Sequence, residues 1–514
     1  MKRRIITLCM AILMALSVFT GCKKPQAEDH GDPNANAVVP ADSLTLEIQR
    51  DSNGKKVEFI GAELDPHFIT GNVGRVFTKE DGTEVTVSIE DWTNIIFPRM
   101  KEMNLSYIRT MLLPSWWAKE EVCYTDKAYT WDSEQMQDVY LVLDAAQELD
   151  MEVCLVPWLW DCDYARMTPR EESDDERGWT ICPRGQEDVF ATVVADCVDY
   201  LINEKGYTCI KYFTPINEPN STFSFSYSNQ EVFLAYDALC RECDRVFREK
   251  GIRDDVKFSL SDASTGEAEV WLTQSCDSLL ADGVADIVNT HWYDYDETCT
   301  NEKLQSDWRH MFGIYEGIAT EYNATHVYGE FGITKLDYDD AERGVHIARL
   351  ASNMFHRGGQ GMSYWMLFCY YWNWDSRETN ALGNIMGLWD TAENGYKCKP
   401  SFYAYSLLTR FVRKGMDIYP VPTADPNIIA LAFRDKGEWT YLVINDSATE
   451  SKKVSFLNNT KFPESLNRYV YSAKNVPTDN HVIASNGTVE ANGRVVTDVL
   501  EPMTCTVYTT LSEN

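Results

Sequence analysis

Between residues 57 and 412, short β-branched or apolar runs alternate eight times with amphipathic helical stretches, and this alternation constrains the fold more than any other feature of the chain. A strand that returns to its sheet through a helix can only pair parallel to its predecessor, so the pattern calls for a parallel sheet with helices outside it. The runs fall at 57–62, 106–112, 152–158, 210–215, 257–260, 287–291, 327–329 and 362–367. Between the second and third, Met136, Val139, Tyr140, Leu143 and Ala146 recur at helical spacing, and Val189, Val193, Cys197 and Leu201 do so between the third and fourth. A helix over 339–357 is stopped by Gly358-Gly359, and an eighth spans 401–412. Eight such units in sequence imply an α/β fold, the (β/α)8 TIM barrel, over 44–412. A doubly wound sheet is the competing architecture, but no GxGxxG follows the first strand.

After Gly415 the texture changes to short alternating runs at 428–433, 439–443, 453–456, 468–471 and 505–509. Turn signals such as Asp435-Lys436-Gly437 and Ser485-Asn486-Gly487 separate them, which reads as an antiparallel β-sandwich over 415–514. Residues 44–48 either form a hairpin with 57–60 or join that sandwich.

The N-terminus carries Lys2, Arg3 and Arg4 ahead of an apolar stretch at 5–19, too short to span a bilayer comfortably. It ends in Phe19-Thr20-Gly21-Cys22, which resembles the lipobox of bacterial lipoproteins and implies lipidation at Cys22 after cleavage of residues 1–22. Residues 23–43, rich in Asp, Asn, Pro, Ala and Glu, fit a flexible tether. The expected location is the bacterial cell envelope, at the outer membrane or cell surface, with the membrane touched only through this anchor. Apart from Cys9 and Cys22, 13 of the 15 cysteines remain, an odd number without regular spacing, and most read as small buried apolar residues. A net charge of −32 repels polyphosphate, so nucleic acid is excluded as a partner, whereas a neutral polysaccharide meets no such penalty.

Active sites of TIM barrels gather at the C-terminal ends of the strands. The fourth run ends in Thr214-Pro215-Ile216-Asn217-Glu218-Pro219 and the seventh in Tyr328-Gly329-Glu330-Phe331-Gly332, so each sets one glutamate at the barrel mouth. A glutamate alone is ordinarily a surface or capping carboxylate. Two at one mouth can divide the labour of glycoside hydrolysis, one protonating the leaving oxygen while the other attacks the anomeric carbon or activates a water. The chain has no HExxH, GxSxG or P-loop, and its eight histidines form no ligand cluster, so neither a metal nor another cofactor is implied.

Asn217-Glu218-Pro219 resembles the Asn-Glu-Pro signature of clan A glycoside hydrolases, and Gly329-Glu330-Phe331-Gly332 resembles the nucleophile segment of the cellulase-like family 5. The resemblance implies a retaining mechanism with Glu218 as acid/base and Glu330 as nucleophile. It further implies that Arg109 supports the nucleophile, that Asn217 holds the sugar 2-hydroxyl, and that His291 and Tyr293, in a His-x-Tyr pattern, touch substrate and nucleophile. Trp365 matches the clan's platform under the sugar. The C-terminal sandwich and the Thr214-Pro215 lead-in are closer to families 30 and 39 of the clan, and the strand-one segment Ala62-Glu63-Leu64-Asp65 matches none of these. Trp116, Trp117, Trp158, Trp160, Trp372 and Trp374 crowd strand ends and loops, and as a set they suggest a cleft in which indoles stack on sugar rings. Trp158 and His67 are further substrate-contact candidates.

The expected protein is a monomeric hydrolase of a poly- or oligosaccharide, endo-acting on β-glucan or β-mannan chains. The alternatives are an exo-acting β-glycosidase of the same clan and a non-catalytic glycan-binding lipoprotein. The stretches 161–187 and 368–375 are where a wall closing the cleft would arise.

Overall fold

The structure, a computed structural model, describes residues 37–79, 81–158, 160–162, 164, 185–219, 229–264, 270–294, 310–334, 337, 339–371 and 386–512. Cys22, the leader, most of the tether, Trp372 and Trp374 lie outside the described residues.

A short strand β1 (Leu44–Glu47) precedes the barrel. Eight strands follow: β2 (Phe59–Glu63), β3 (Tyr107–Leu112), β4 (Glu152–Pro157), β5 (Ile210–Phe213), β6 (Lys257–Ala263), β7 (Ile287–Asp294), β8 (Thr325–Ile333) and β9 (Gly361–Tyr364). They close into a barrel in sequence order, every pair parallel, with β9 pairing back onto β2. Between and after them run α1 (Phe97–Met103), α2 (Glu134–Glu148), α3 (Glu187–Asp199), α4 (Asn229–Lys250), α5 (Val270–Ala281), α6 (His310–Glu321), α7 (Ala341–His356) and α8 (Pro400–Phe411). Helix α2 starts where Ser133 accepts a hydrogen bond from the Met136 amide at 3.1 Å, and its stripe Met136, Val139, Tyr140, Leu143 and Ala146 is buried as its spacing predicts. Asp340 caps α7 in the same way, and Gly358, at φ 84°, ends it. None of the described helices is long and apolar enough to cross a membrane.

Strand alternation sorts the barrel interior into layers. Phe59, Tyr107, Cys154, Val156, Tyr212, Ile287 and Val327 form a closed floor, with the Phe59 and Tyr107 rings stacked at 3.7 Å. Two residues further along β3, Arg109 stands one layer above Tyr107. Glu63 stands two layers above Phe59 on β2. Gly61 lies between them because a Cβ there would come within 2.0 Å of the Tyr107 carbonyl oxygen.

Beyond α8 the chain forms β10 (Asp417–Val421), β11 (Ile428–Asp435), β12 (Glu438–Asn445), β13 (Lys452–Leu457), β14 (Ser465–Ser472), β15 (Thr488–Asn492), β16 (Val495–Leu500) and β17 (Thr504–Thr509). These make a continuous sheet, ordered β1-β13-β16-β15-β14-β17-β12-β11-β10, antiparallel apart from β1 on β13. The sheet folds over a core of Leu46, Val421, Ala430, Tyr441, Val443, Phe456, Val496 and Tyr508, which makes it a sandwich. The barrel domain therefore does not begin at residue 44. Residues 44–47 belong to the C-terminal sheet, where Leu46 gains a buried face that no hairpin with β2 offers.

Strand β11 is buried on both faces, which explains its unbroken apolar run. Ile428, Ala430 and Ala432 face the sandwich core, while Ile429, Leu431 and Phe433 join the barrel's own core. Phe433 meets Phe355 of α7 edge-on at 5.1 Å, and the Arg349 guanidinium donates to Asp446 at 2.8 Å. The eleven described cysteines are buried. They include Cys240 and Cys243, a Cys-x-x-Cys spacing inside α4.

Candidate active site

Arg109 is wholly buried at the barrel's centre and makes four side-chain hydrogen bonds. Its Nη1 donates to Glu63 Oε2 at 2.9 Å and to Glu330 Oε1 at 2.8 Å. Its Nη2 donates to Asn217 Oδ1 and Asp262 Oδ2, each at 2.7 Å. The planar guanidinium fork is what allows one cation to serve acceptors from four strands or strand ends.

Glu330 reaches this centre through a local break in β8. The register against β7 shifts between Tyr328 and Glu330, setting Glu330 opposite His291. Gly329 permits the shift. A Cβ there would lie 2.5 Å from the Asn289 side chain, whose Oδ1 instead accepts from the Gly329 amide at 2.8 Å. Glu218 follows β5 in a left-handed conformation, φ 39°, which turns its side chain out of the strand's alternation. Asp262 does the same on β6 with φ 61°.

The Tyr293 hydroxyl donates to Glu330 Oε2 at 2.7 Å. His291 joins the two glutamates, with Nδ1 2.8 Å from Glu218 Oε1 and 3.5 Å from Glu330 Oε2, while Nε2 lies 2.9 Å from Asp262 Oδ1. Burial alone would depress the imidazole's pKa, but the charges of Glu330 and Asp262 and the bonds to Asp262 and Glu218 outweigh it and raise it to about 10. His291 is therefore an imidazolium that donates through both nitrogens. Carboxylate oxygens of Glu218 and Glu330 and a nitrogen of His291 lie within 4.8 Å of one another, but an imidazolium has no lone pair for a metal, so the trio reads as an ion-pair bridge.

Burial raises Glu330, and the neighbouring His291 and Arg109 pull it back only to about 7, with Glu218 and Glu63 pushing upward. Asp262 ends below the usual carboxylate range, because Arg109 and His291 overcome a large burial penalty. It is thus the site's permanent anion. The sequence reading missed it.

The other anticipated residues divide. Asn217 is buried, and its oxygen faces Arg109, which directs its donor nitrogen away from the guanidinium. Trp365 and Trp158 are half-buried and lie 5.9 Å apart between ring centres, side by side at the mouth. Trp116, Trp117 and Trp160 are buried, so they are core residues and not sugar platforms. His67 also departs from expectation. It is 1% exposed, sits edge-on to Trp116 and parallel to Tyr370, and burial holds its pKa down at about 3. It packs between Trp116 and Tyr370 as a neutral ring.

No protein-family model matches the sequence, and no curated protein does. Solved structures match across nearly the whole chain. A family 30 subfamily 8 xylanase from Clostridium acetobutylicum aligns at a TM-score of 0.62 with 12% identity, covering 91% of this chain and 99% of that one. A family 51 α-L-arabinofuranosidase from Bifidobacterium longum gives 0.60 and 12%, covering 92% and 100%. An endo-β1,6-glucanase gives 0.61 and 13%, covering 93% and 94%. The chain shares the fold of these glycosidases, and the shared fold includes the C-terminal sheet, since the alignments extend over nine-tenths of the chain.

Proposed function

We propose that this protein is a retaining glycoside hydrolase that cleaves β-glycosidic bonds by double displacement, with Glu330 as nucleophile and Glu218 as acid/base. One observation carries the reading: an oxygen of each carboxyl lies within 4.8 Å of the other. Retaining enzymes hold the pair about 5–5.5 Å apart, whereas inverting ones leave about 6.5–9.5 Å for a water. Glu330 is the group fixed for attack, clamped by Arg109 and Tyr293 and buried, whereas the Glu218 side chain keeps 22% exposure where a leaving group and water can reach it.

In the first step the Glu330 carboxylate attacks the anomeric carbon and Glu218 protonates the departing oxygen. Glycosylation removes the negative charge from Glu330, which lessens its repulsion of the Glu218 carboxylate. Glu218 then takes a proton from water, with the His291 N–H supporting its anionic form, and the water displaces the sugar. The half-buried pair Trp158 and Trp365 supports a polymer substrate, because indole faces pack on pyranose C–H faces.

The substrate we propose is a β-glucan or β-mannan chain cut internally. The test panel also includes xylan and β-1,6-glucan, because xylanases and an endo-β1,6-glucanase share the fold. Residues 23–514, wild type and Glu330→Ala, are incubated with the panel and with aryl β-glycosides. Oligosaccharide ladders absent in the variant support the reading, monosaccharide alone makes the enzyme exo-acting, and turnover by Glu330→Ala at the wild-type rate refutes the nucleophile. The lipobox supports tethering at the cell envelope, and Cys22→Ser should release the protein from the membrane fraction.

A further inference from the structure

The cluster around Arg109 holds more carboxyl groups than the hydrolytic reaction uses. Among the described residues, Glu63, Asp65, Glu218, Asp262 and Glu330 face two cations, Arg109 and His291. Glu63 and Asp65 lie on one side of it and are wholly buried. The Arg109 Nη1 that donates to Glu330 is the same nitrogen that donates to Glu63. If both carboxyls were ionised, they would draw on the charge of one cation, which Asp262 already shares.

The far oxygens of the pair show how that competition is avoided. Glu63 Oε1 and Asp65 Oδ1 are both buried, and neither accepts a hydrogen bond from a donor group among the described residues. Two buried carboxylate oxygens left in that state would each carry an uncompensated desolvation penalty. A single proton between them satisfies both. The other oxygen of Asp65 is held by the Tyr370 hydroxyl, and the other oxygen of Glu63 by Arg109.

We propose that Glu63 and Asp65 form a proton-sharing carboxyl pair that keeps Glu63 uncharged and so reserves the Arg109 guanidinium for Glu330 and Asp262. Glu63 is then a positioning residue acting through Arg109. The groups facing it are Asp65 on its own segment, Arg109 on β3, Glu330 on β8 and, through Arg109, Asp262 on β6. The proton affinities agree with this assignment. Burial outweighs the pull of Arg109 and, with the smaller push of the Asp65 charge, raises Glu63 to about 8, whereas Asp65, raised by burial but relieved by Tyr370 and Glu63, reaches only about 6.

The kinetic arm of the test rests on Glu330 being the nucleophile, whereas the spectroscopic arm does not. The infrared difference spectrum at pH 7, wild type minus Glu63→Gln, should show a protonated-carboxyl C=O band that Glu63 contributes beyond the other buried carboxyls. Absence of that band from the difference spectrum overturns the proposal even if no substrate is turned over. In pH profiles of kcat/KM, Glu63→Gln should leave the acid limb at its wild-type pH, because one neutral group replaces another. Asp65→Asn removes the acceptor, frees Glu63 to ionise, and should move that limb up by about one unit. The double variant should return it to the wild-type position. A downward shift in Glu63→Gln means that Glu63 was an anion and refutes the pair, as does a double variant that behaves like Asp65→Asn.

Discussion

Replacing Arg109 with methionine tests the electrostatic design of the site most severely. The guanidinium nitrogen lies 2.8 Å from Glu330 Oε1, and both groups are buried. Charge centres about 4 Å apart interact by about 4 kcal/mol at an effective dielectric near 20, equivalent to about three pKa units. Asp262 loses the same cation and takes up a proton of its own, which returns part of that shift. The net expectation is a rise of about two units in the Glu330 ionisation, so a nucleophile that titrates near about 7 in the wild type would need alkaline pH. At pH 7 the ionised fraction, and with it kcat/KM, should fall about 50-fold. The assay is the pH dependence of kcat/KM on an aryl β-glycoside whose leaving group needs no proton. Breaking the buried pair should also cost about 3–5 kcal/mol of stability, read as a lowered Tm. An acid limb within about half a unit of wild type in a folded Arg109→Met protein would refute the argument.

Four further outcomes are expected. Wild-type kcat/KM should fall about tenfold per pH unit below about 7, because Glu330 works as the anion and its raised pKa sets that limb; a limb at an ordinary glutamate value would contradict it. Tyr293→Phe removes a hydrogen bond to an ionised nucleophile and should cost about 10- to 100-fold in kcat/KM while leaving Tm nearly unchanged, and a loss confined to KM would speak against it. Glu218→Gln should slow substrates with poor leaving groups far more than those with good ones, so equal losses on both would remove Glu218 as the acid. Phe433→Ala should destabilise the whole protein by about 3–5 kcal/mol, because that ring packs on Phe355 of α7; separate melting of the barrel and an unchanged barrel Tm would make the sandwich an independent module.

The barrel was legible because each strand is an apolar run bounded by turn residues and each helix carries a 3.6-residue stripe. The two carboxyls proposed as catalytic were legible because a barrel collects function at strand ends and both glutamates lie there. Asp262 was not, because the apolar run stops at Leu260 while the strand continues to Ala263 through a register shift that a polar Ser-Asp pair does not announce. Asking which acids follow each strand within a few residues would have found it. Burial separates Trp158 and Trp365 from Trp116, Trp117 and Trp160, and an indole reads alike in sequence whether it faces a cleft or packs against helices. Residues 44–47 were ambiguous because four alternating residues fit any open sheet edge, and only the folded C-terminal sheet supplies the partner.

The central claim is that Glu218 and Glu330 stand at retaining distance. Proton NMR of a cleaved β-linked substrate, recorded before mutarotation, reads it directly. The account predicts that the first-formed hemiacetal is the β anomer, and an α anomer appearing first would contradict it.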